Sequence, residues 1–99
     1  MSDAATEQVR LDVWLWRARF FKTRALSSAH VTKRGVRLTR FGTTRRVNKP
    51  SAGVQVGDIV AFGKGAHIVS AEVMALGERR GPAAEAQTLY LEIGESGDA

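Results

Sequence analysis

Twelve basic side chains and one acid lie between residues 10 and 49. This basic segment has a formal charge of +11, whereas the rest of the chain sums to −6, so the net charge of +5 conceals a polarised molecule. Large apolar residues are interspersed among the cations, which is typical of a folded surface and not of a disordered basic tail. A folded surface with this charge density suits a polyanion, and nucleic acid is the first candidate.

The sharpest local feature is the tripeptide Lys22-Thr23-Arg24. Thr23 is positioned to cap a helix that we predict over about 24–33, and a helix start exposes backbone N–H groups and a partial positive charge. Acids stabilise such a position, but Lys22 and Arg24 have the opposite sign. An external phosphate would receive the backbone donors, the Thr23 hydroxyl and both cations. The competing interpretation is that both side chains simply point into solvent.

Basic residues also mark the predicted end of this helix, where Gly35 stops the helical pattern. Lys33 and Arg34 belong to the residues that we predict to face nucleic acid, although cations at a helix C-terminus are also ordinary capping chemistry.

Four arginines flank a predicted turn at Phe41-Gly42: Arg37, Arg40, Arg45 and Arg46. Arg37 alternates with apolar residues and must face away from the core. We expect the other three to form the rim of one basic groove with it. Because acids are scarce nearby, we expect no ion pairs to neutralise them.

The aromatic residues raise the question of base stacking. Trp14 lies on an apolar helical stripe and Trp16 just off it, and we predict both to be core residues. Phe41, in a turn among arginines, is the better stacking candidate.

The elements that must position these groups follow from periodicity. Leu11, Trp14, Leu15 and Ala18 fall at helical spacing, with Asp12 a plausible N-cap, so two short helices form a helical hairpin. After Gly35 the period becomes two, which predicts strands at 36–39, 44–47, 54–56, 59–62 and 66–76, with a turn at 63–65. A short helix is expected near 83–87 with Pro82 in its first turn, and 89–93 could be helix or strand.

Length and composition predict one α+β domain at residues 10–93. Residues 1–9 and 94–99 are expected to be disordered tails. There is no cysteine, which excludes disulfides and thiolate metal sites. The start of the chain is unlike a secretory signal, and no apolar run reaches membrane-spanning length, so a cytoplasmic location is expected.

Catalytic patterns are weak. His30 and His67 have no metal-ligand spacing, and neither a Ser-His-Asp arrangement nor a pair of carboxylates can be supported. The segment Gly63-Lys64-Gly65 lacks the length and setting of a P-loop. We therefore expect a protein that is not an enzyme and that uses no cofactor, metal ion or small-molecule substrate.

Several short motifs together resemble the RNA-binding domain family first described in small-subunit ribosomal protein S-four. Their segments span about residues 10–91, and the C-terminal ones are most similar to fifteen-kilodalton ribosome-associated heat-shock proteins. The motifs are Arg10-Leu11-Asp12, Trp14-Leu15-Trp16, Ala18-Arg19-Phe20, Lys22-Thr23-Arg24, Lys49-Pro50-Ser51, Val56-Gly57-Asp58, the run from Arg79 to Ala86, and Leu89-Tyr90.

The resemblance implies a helical hairpin packed on a small, twisted antiparallel sheet, the alpha-L RNA-binding motif, with the core motif of this RNA-binding domain at residues 10–62. RNA would lie across the hairpin and first strands, with Arg10, Lys22, Thr23, Arg24 and Lys49 matching the family's RNA-facing positions. The heat-shock relatives are understood to bind free large ribosomal subunits that hold a stalled nascent chain on tRNA. The chain departs from the family at Arg34, where glycine is common, and at the turn from Thr39 to Gly42, where Asn-Gly is common. The long basic C-terminal extension of some relatives is not expected here.

The preferred function is thus non-catalytic binding of structured RNA, with ribosomal RNA of the large subunit as the first candidate. We expect the protein to be a monomer and to act in ribosome rescue, recycling or the heat-stress response. A second hypothesis is a DNA-binding regulator that uses the hairpin as a helix-turn-helix, although the second helix has no Asn or Gln to read bases. A third is a membrane-surface or protein-interaction module built on the amphipathic stretch 14–21. A fourth is a relic of the targeting domain of an RNA-modifying enzyme.

Overall fold

A computed structural model describes residues 6–93. Most of the two predicted tails (1–5 and 94–99) lies outside this range, and the first strand already begins at Val9. The elements in chain order are β1 (Val9–Arg10), α1 (Leu11–Arg17), α2 (Arg24–Arg34), β2 (Val36–Arg40), β3 (Thr43–Val47), β4 (Gly53–Val54), β5 (Ile59–Lys64), β6 (His67–Val73), α3 (Ala83–Ala86), a 3-10 turn (Gln87–Leu89) and β7 (Tyr90–Glu92).

The main sheet has five antiparallel strands in the order β3-β2-β5-β6-β7, and β1 pairs separately with β4. One face of the sheet contributes buried side chains such as Val36, Leu38, Val60 and Phe62 to the core. The opposite face carries the alternate residues of each strand and is open among the described residues. The predicted α+β fold, a helical hairpin on a small antiparallel sheet, is confirmed.

Helix α1 provides much of the core, since Leu11, Trp14 and Leu15 are fully buried. The Trp14 indole N–H donates to the carbonyl of Ala75 at 2.9 Å, which satisfies its polar atom inside the core.

The expectation that Asp12 caps α1 is wrong. Arg10 occupies the N-cap position without a side-chain capping bond, and Asp12 is buried inside the first turn. The first helical N–H groups are satisfied by the loop before β4, because Leu11 donates to the carbonyl of Ala52 at 2.8 Å and Asp12 to that of Pro50 at 3.2 Å. A helix start whose donors already have backbone partners needs no side-chain cap.

Helix α2 begins and ends where the local chemistry predicts. The Thr23 hydroxyl oxygen accepts from the backbone N–H of Leu26 at 3.0 Å. At the other end Gly35 has φ +80° and ends the helix, whose last residue is Arg34, one residue later than the predicted Lys33. The buried Ser27 hydroxyl donates to the carbonyl of Asp12 at 2.9 Å and so joins the two helices.

Two strand predictions need correction. Lys64 pairs with His67, so β5 includes Lys64 and the hairpin turn lies at 65–66 and not at 63–65. The side chain of Lys64 donates to the carbonyl of Phe20 at 2.5 Å, which anchors this end of the strand. Strand β6 ends at Val73, and the segment left open as helix or strand becomes β7 by pairing with β6.

Three arginine contacts fasten the segment after β6 to α1 and its end. Arg17 donates to the carbonyl of Gly77 at 2.7 Å, Arg19 to that of Gly81 at 2.7 Å, and Arg80 to that of Trp16 at 3.2 Å. Arg19 has φ +67°, a left-handed conformation that lets the chain turn sharply after α1. Arg17 and Arg19, both of the basic segment, therefore act within the fold.

Candidate nucleic-acid interface

The start of α2 carries the three residues that we predict to bind phosphate. Lys22, Thr23 and Arg24 are exposed, and neither cation has a hydrogen-bond or ion-pair partner among the described residues. Because the Thr23 oxygen accepts from Leu26, the hydroxyl hydrogen stays available as a donor. The N-terminal turn of α2 contains no acid that would occupy this position instead.

Arg40 is placed differently from the prediction. Its guanidinium forms two hydrogen bonds to the buried carboxylate of Asp58, at 2.9 and 2.7 Å, and a third to the carbonyl of Gly53 at 3.2 Å. The expectation that no ion pair neutralises these arginines is therefore wrong at Arg40. Acids are scarce within the basic segment, but Asp58 lies outside it, eighteen residues further along the chain.

Arg10 is also paired, with the carboxylate of Asp12 at 3.0 Å. The hydrogen bond to Asp12, supported by its charge, raises the pKa of Arg10. The Arg10 side chain remains half exposed. Arg10 can still contact a ligand, but the Asp12 carboxylate largely balances its positive charge.

The end of α2 is held by an arginine from β3. The Arg46 guanidinium donates to the carbonyl of Arg34 at 3.2 Å and lies against Gly35, where a Cβ would approach its Nε to 2.7 Å. Gly35 itself donates back to the carbonyls of His30 and Val31. The helix end is thus capped without the side chains of Lys33 and Arg34, so capping does not explain those two cations.

The strand register decides which arginines share a face. Arg37 lies directly opposite Arg46 on β3 and opposite Ala61 on β5, all on the open face of the sheet. Arg45 lies opposite the core residue Leu38 and so projects at the sheet edge on the other face. The four arginines around the turn therefore do not form one groove: Arg37 and Arg46 form a pair, Arg45 stands apart, and Arg40 is bound to Asp58.

Seven of the twelve cations have no hydrogen-bond or ion-pair partner within residues 6–93. All seven are exposed. Five of them fall into two groups at opposite ends of α2, which is eleven residues and roughly 16 Å long: Lys22 and Arg24 at its start, and Lys33, Arg34 and Arg37 at its end. Arg45 lies on β3, and Lys49 lies in the loop before β4. The seven are Lys22, Arg24, Lys33, Arg34, Arg37, Arg45 and Lys49.

Among the aromatic side chains, Phe41 is 92% exposed at the tip of the hairpin between β2 and β3, and it has φ +52°. Trp14 is fully buried, as predicted, whereas Trp16 is half-buried. Phe41 is thus the aromatic ring of the basic segment that is free to stack on a ligand.

The amphipathic stretch at 14–21 is not available as a surface module. Trp14, Leu15, Ala18 and Phe20 are all buried in the core. No helix within the described range combines the length and the apolar character needed to span a membrane.

The two histidines are separate. His30 packs between the rings of Phe21 and Phe62, at centroid distances of 5.0 and 5.9 Å, and its Nε2 is buried without a hydrogen-bond partner among the described residues. Burial first, and then the nearby charge of Arg34, lowers the pKa of His30. Within residues 6–93, no group of three or more His, Asp or Glu side chains could hold a metal ion.

Comparison with known proteins gives consistent relatives. Heat shock protein 15 of Escherichia coli K12 is 38% identical over 96 residues, which cover 97% of this chain and 68% of the relative. The heat shock protein 15 homolog of Haemophilus influenzae is 37% identical over 92 residues, or 93% of this chain and 66% of the relative. The chain thus spans about two thirds of the length of these curated relatives. No family model matches the sequence.

A solved structure is similar over nearly the whole chain. The trimeric structure of Vibrio cholerae heat shock protein 15 superposes with a TM-score of 0.76 at 36% identity, and the match covers 91% of this chain and 86% of that one. The resemblance drawn from the motifs, including the similarity to the fifteen-kilodalton heat-shock proteins, is confirmed.

Proposed function

This chain belongs to the heat shock protein 15 family, and from this premise we propose that it binds structured RNA without catalysing a reaction. The site combines the phosphate-binding start of α2, formed by Lys22, Thr23 and Arg24, with the cations at its other end. Specificity comes from the spacing of phosphates and the shape of the RNA more than from base edges, as is usual for helical RNA.

One observation carries the proposal: seven exposed cations of the basic segment, five of them at the two ends of α2, have no carboxylate partner among the described residues. Like charges at this density repel one another and lower stability, so their retention on one part of a 99-residue domain favours a polyanionic ligand. Arg40 is not part of the proposed site, because the Asp58 carboxylate holds its guanidinium. Arg10, Arg46 and Lys49 lie at the margins of the site.

We further propose that the RNA is ribosomal RNA of the large subunit and that the protein acts in the cytoplasm, in rescue or recycling of ribosomes during heat stress. The family membership supports this assignment. Crosslinking the protein to RNA in cells, followed by sequencing, tests it directly, and recovery of messenger or small-subunit RNA alone would contradict it.

The salt dependence of binding tests the electrostatic core of the proposal. If about six phosphates are neutralised, log affinity for a folded RNA falls with log salt at a slope near −4 to −5. A slope shallower than about −1 would contradict a phosphate-based interface. Competition by duplex DNA at one salt concentration separates RNA binding from the hypothesis of a DNA-binding regulator.

Variants locate the site. Lys22→Ala and Arg24→Ala are expected to weaken RNA binding without unfolding the protein, because both side chains are exposed and unpaired among the described residues. Arg79→Ala is the matched control: it also removes one exposed cation, which pairs with Glu85 at 2.7 Å outside the basic segment. Lys64→Ala is less suitable as a control, because Lys64 holds the carbonyl of Phe20. Equal losses from Lys22→Ala, Arg24→Ala and Arg79→Ala would remove the proposed site.

We propose a monomer as the binding unit, although the Vibrio cholerae relative is trimeric. Light scattering after size-exclusion chromatography, with and without RNA, decides between the two.

A further inference from the structure

A depression of about 450 Å³ opens where α2 meets the open face of the sheet. It follows from the strand register, because two small residues of β5 lie between larger residues of the neighbouring strands: Ala61 lies opposite Arg37 of β2, and Gly63 lies opposite Ile68 of β6. A Cβ placed on Gly63 would have Arg34 Nη2 and Ile68 Cδ1 as its nearest neighbours, both 3.9 Å away. The missing side chain is what leaves the space open.

Three guanidinium groups line this depression, from Arg34, Arg37 and Arg46. Arg46 is oriented by its bond to the carbonyl of Arg34, whereas Arg34 and Arg37 have no hydrogen-bonded side-chain partner among the described residues. No acid of the described part of the chain lines the depression. Guanidinium groups bind phosphate in bidentate fashion and also stack on the planes of nucleobases.

The opposite wall is apolar. Ile68 is 71% exposed, although it lies on a strand whose alternate residues are buried in the core. Ala61 and Gly63 also line the depression here, so the side chains on this side are apolar or absent. A phosphate alone makes no favourable contact with apolar side chains. A nucleotide, in contrast, has a phosphate group and also a base whose face packs against apolar side chains.

We propose that this depression binds a single unpaired nucleotide, with its phosphate bound by the three arginines and its base packed against Ile68 and Gly63. We favour a nucleotide that is turned out of the bound RNA. A free nucleoside monophosphate carries the same groups and is the alternative ligand. The inference rests on the proposed function, since the helix of that RNA is held by the cations at the start of α2.

The test uses two RNA hairpins that differ by one unpaired nucleotide in the stem. The wild-type protein is expected to bind the bulged hairpin about tenfold more tightly than the fully paired one. Gly63→Val is expected to abolish this preference while its affinity for the paired hairpin stays within about twofold, because the charge of the protein is unchanged. Gly63 does not have a positive φ, and valine is favoured in strands, so the substitution fits the backbone.

Two further variants keep the result interpretable. Gly63→Ala adds one methyl group at ordinary contact distance and is expected to keep most of the preference. Ile68→Asn removes the apolar wall at an exposed position, so it is expected to lower the preference without affecting the core. Thermal unfolding confirms that each variant folds.

The outcomes separate the two proposals. Equal affinity of the wild-type protein for both hairpins, with a steep salt dependence, overturns the nucleotide pocket and leaves RNA binding intact. Absence of salt-dependent binding to either hairpin overturns the proposed function itself. A third outcome is that micromolar adenosine or guanosine monophosphate displaces the bulged hairpin from the wild-type protein but not from Gly63→Val. This result would overturn the proposal that the bound nucleotide comes from RNA and would assign the pocket to a free nucleotide.

Discussion

Arg40 and Asp58 form a two-pronged ion pair that ties the end of β2 to the turn before β5. Arg40 Nε and Nη2 donate to the two carboxylate oxygens at 2.9 and 2.7 Å, and Asp58, which is 1% exposed, also accepts from the backbone N–H of Gln55. The hydrogen bond to Asp58 raises the pKa of Arg40 despite an opposing effect of burial. The pair therefore holds the hairpin between β2 and β3 against the rest of the sheet.

Removing the carboxylate is expected to destabilise the fold. Asp58→Ala leaves Arg40 without its partner in a partly buried position and the Gln55 N–H without its acceptor, so we expect a loss of roughly 3 kcal/mol in the free energy of unfolding. Urea denaturation measures it. Arg45→Ala, an exposed arginine on the neighbouring strand, is the control and is expected to change stability by less than about 0.5 kcal/mol. Similar small effects from both variants would show that the pair is dispensable.

Alanine substitutions at Gly35 and Gly42 distinguish the cost of backbone strain from the cost of a steric contact. Both have φ +80°, but a Cβ at Gly35 would lie 2.7 Å from Arg46 Nε, whereas nothing lies within 4 Å at Gly42. We expect Gly42→Ala to cost about 1 kcal/mol from strain alone and Gly35→Ala about 2 kcal/mol or more, since Gly35 has a ψ of 166°, a region nearly exclusive to glycine, and Arg46 must also move. Adding Arg46→Ala to Gly35→Ala should recover the part of the loss that comes from the contact, as measured by chemical denaturation, whereas additive losses would contradict the contact.

Phe41 offers a test in which stability and binding move in opposite directions. Its ring is exposed and its φ of +52° is unfavourable for phenylalanine, whereas asparagine tolerates this conformation. We expect Phe41→Asn to keep or slightly raise the melting temperature and to weaken RNA binding by about tenfold, as for loss of one stacked base. Unchanged affinity for hairpin and single-stranded RNA would remove Phe41 from the interface.

His30 makes stability depend on pH. Its pKa is lowered in the folded protein by burial and by Arg34, so the unfolded chain binds the proton more readily. The stability contributed by neutral His30 is therefore complete above its usual pKa of about 6.5 and is lost as the pH falls toward the lower folded value. Urea denaturation between pH 7.5 and 5 is expected to be less pH-dependent in His30→Gln than in the wild-type protein or in His67→Gln.

The features predicted correctly are those determined by local chemistry. Thr23 and Gly35 mark the ends of α2 because capping and left-handed backbone depend on a few neighbouring residues. The alternation of Val36 and Leu38 with Arg37 likewise predicts which side chains face the core.

The errors involve partners that are distant in sequence. Asp12 has the type and position of a helix cap, but the donors of that helix are satisfied by residues 50 and 52. The sequence predicts Arg40 at the rim of an open groove, but it pairs with Asp58, eighteen residues further along the chain and just before the neighbouring strand β5. Local composition gives no signal for such pairs, although Asp58 belongs to one of the motifs that indicate the family. The depression beside Gly63 depends on the register of three strands, which periodicity alone does not provide.

Strand β3 is an edge of the main sheet, and four of its five residues are exposed. An edge strand with unpaired N–H and C=O groups is a template on which another chain can add a strand and begin aggregation. Arg45 and Arg46 place two positive charges on that edge, where an identical strand from a second molecule would be repelled. Charge-removing variants on β3 should therefore be compared at low protein concentration, since self-association could otherwise be mistaken for loss of ligand.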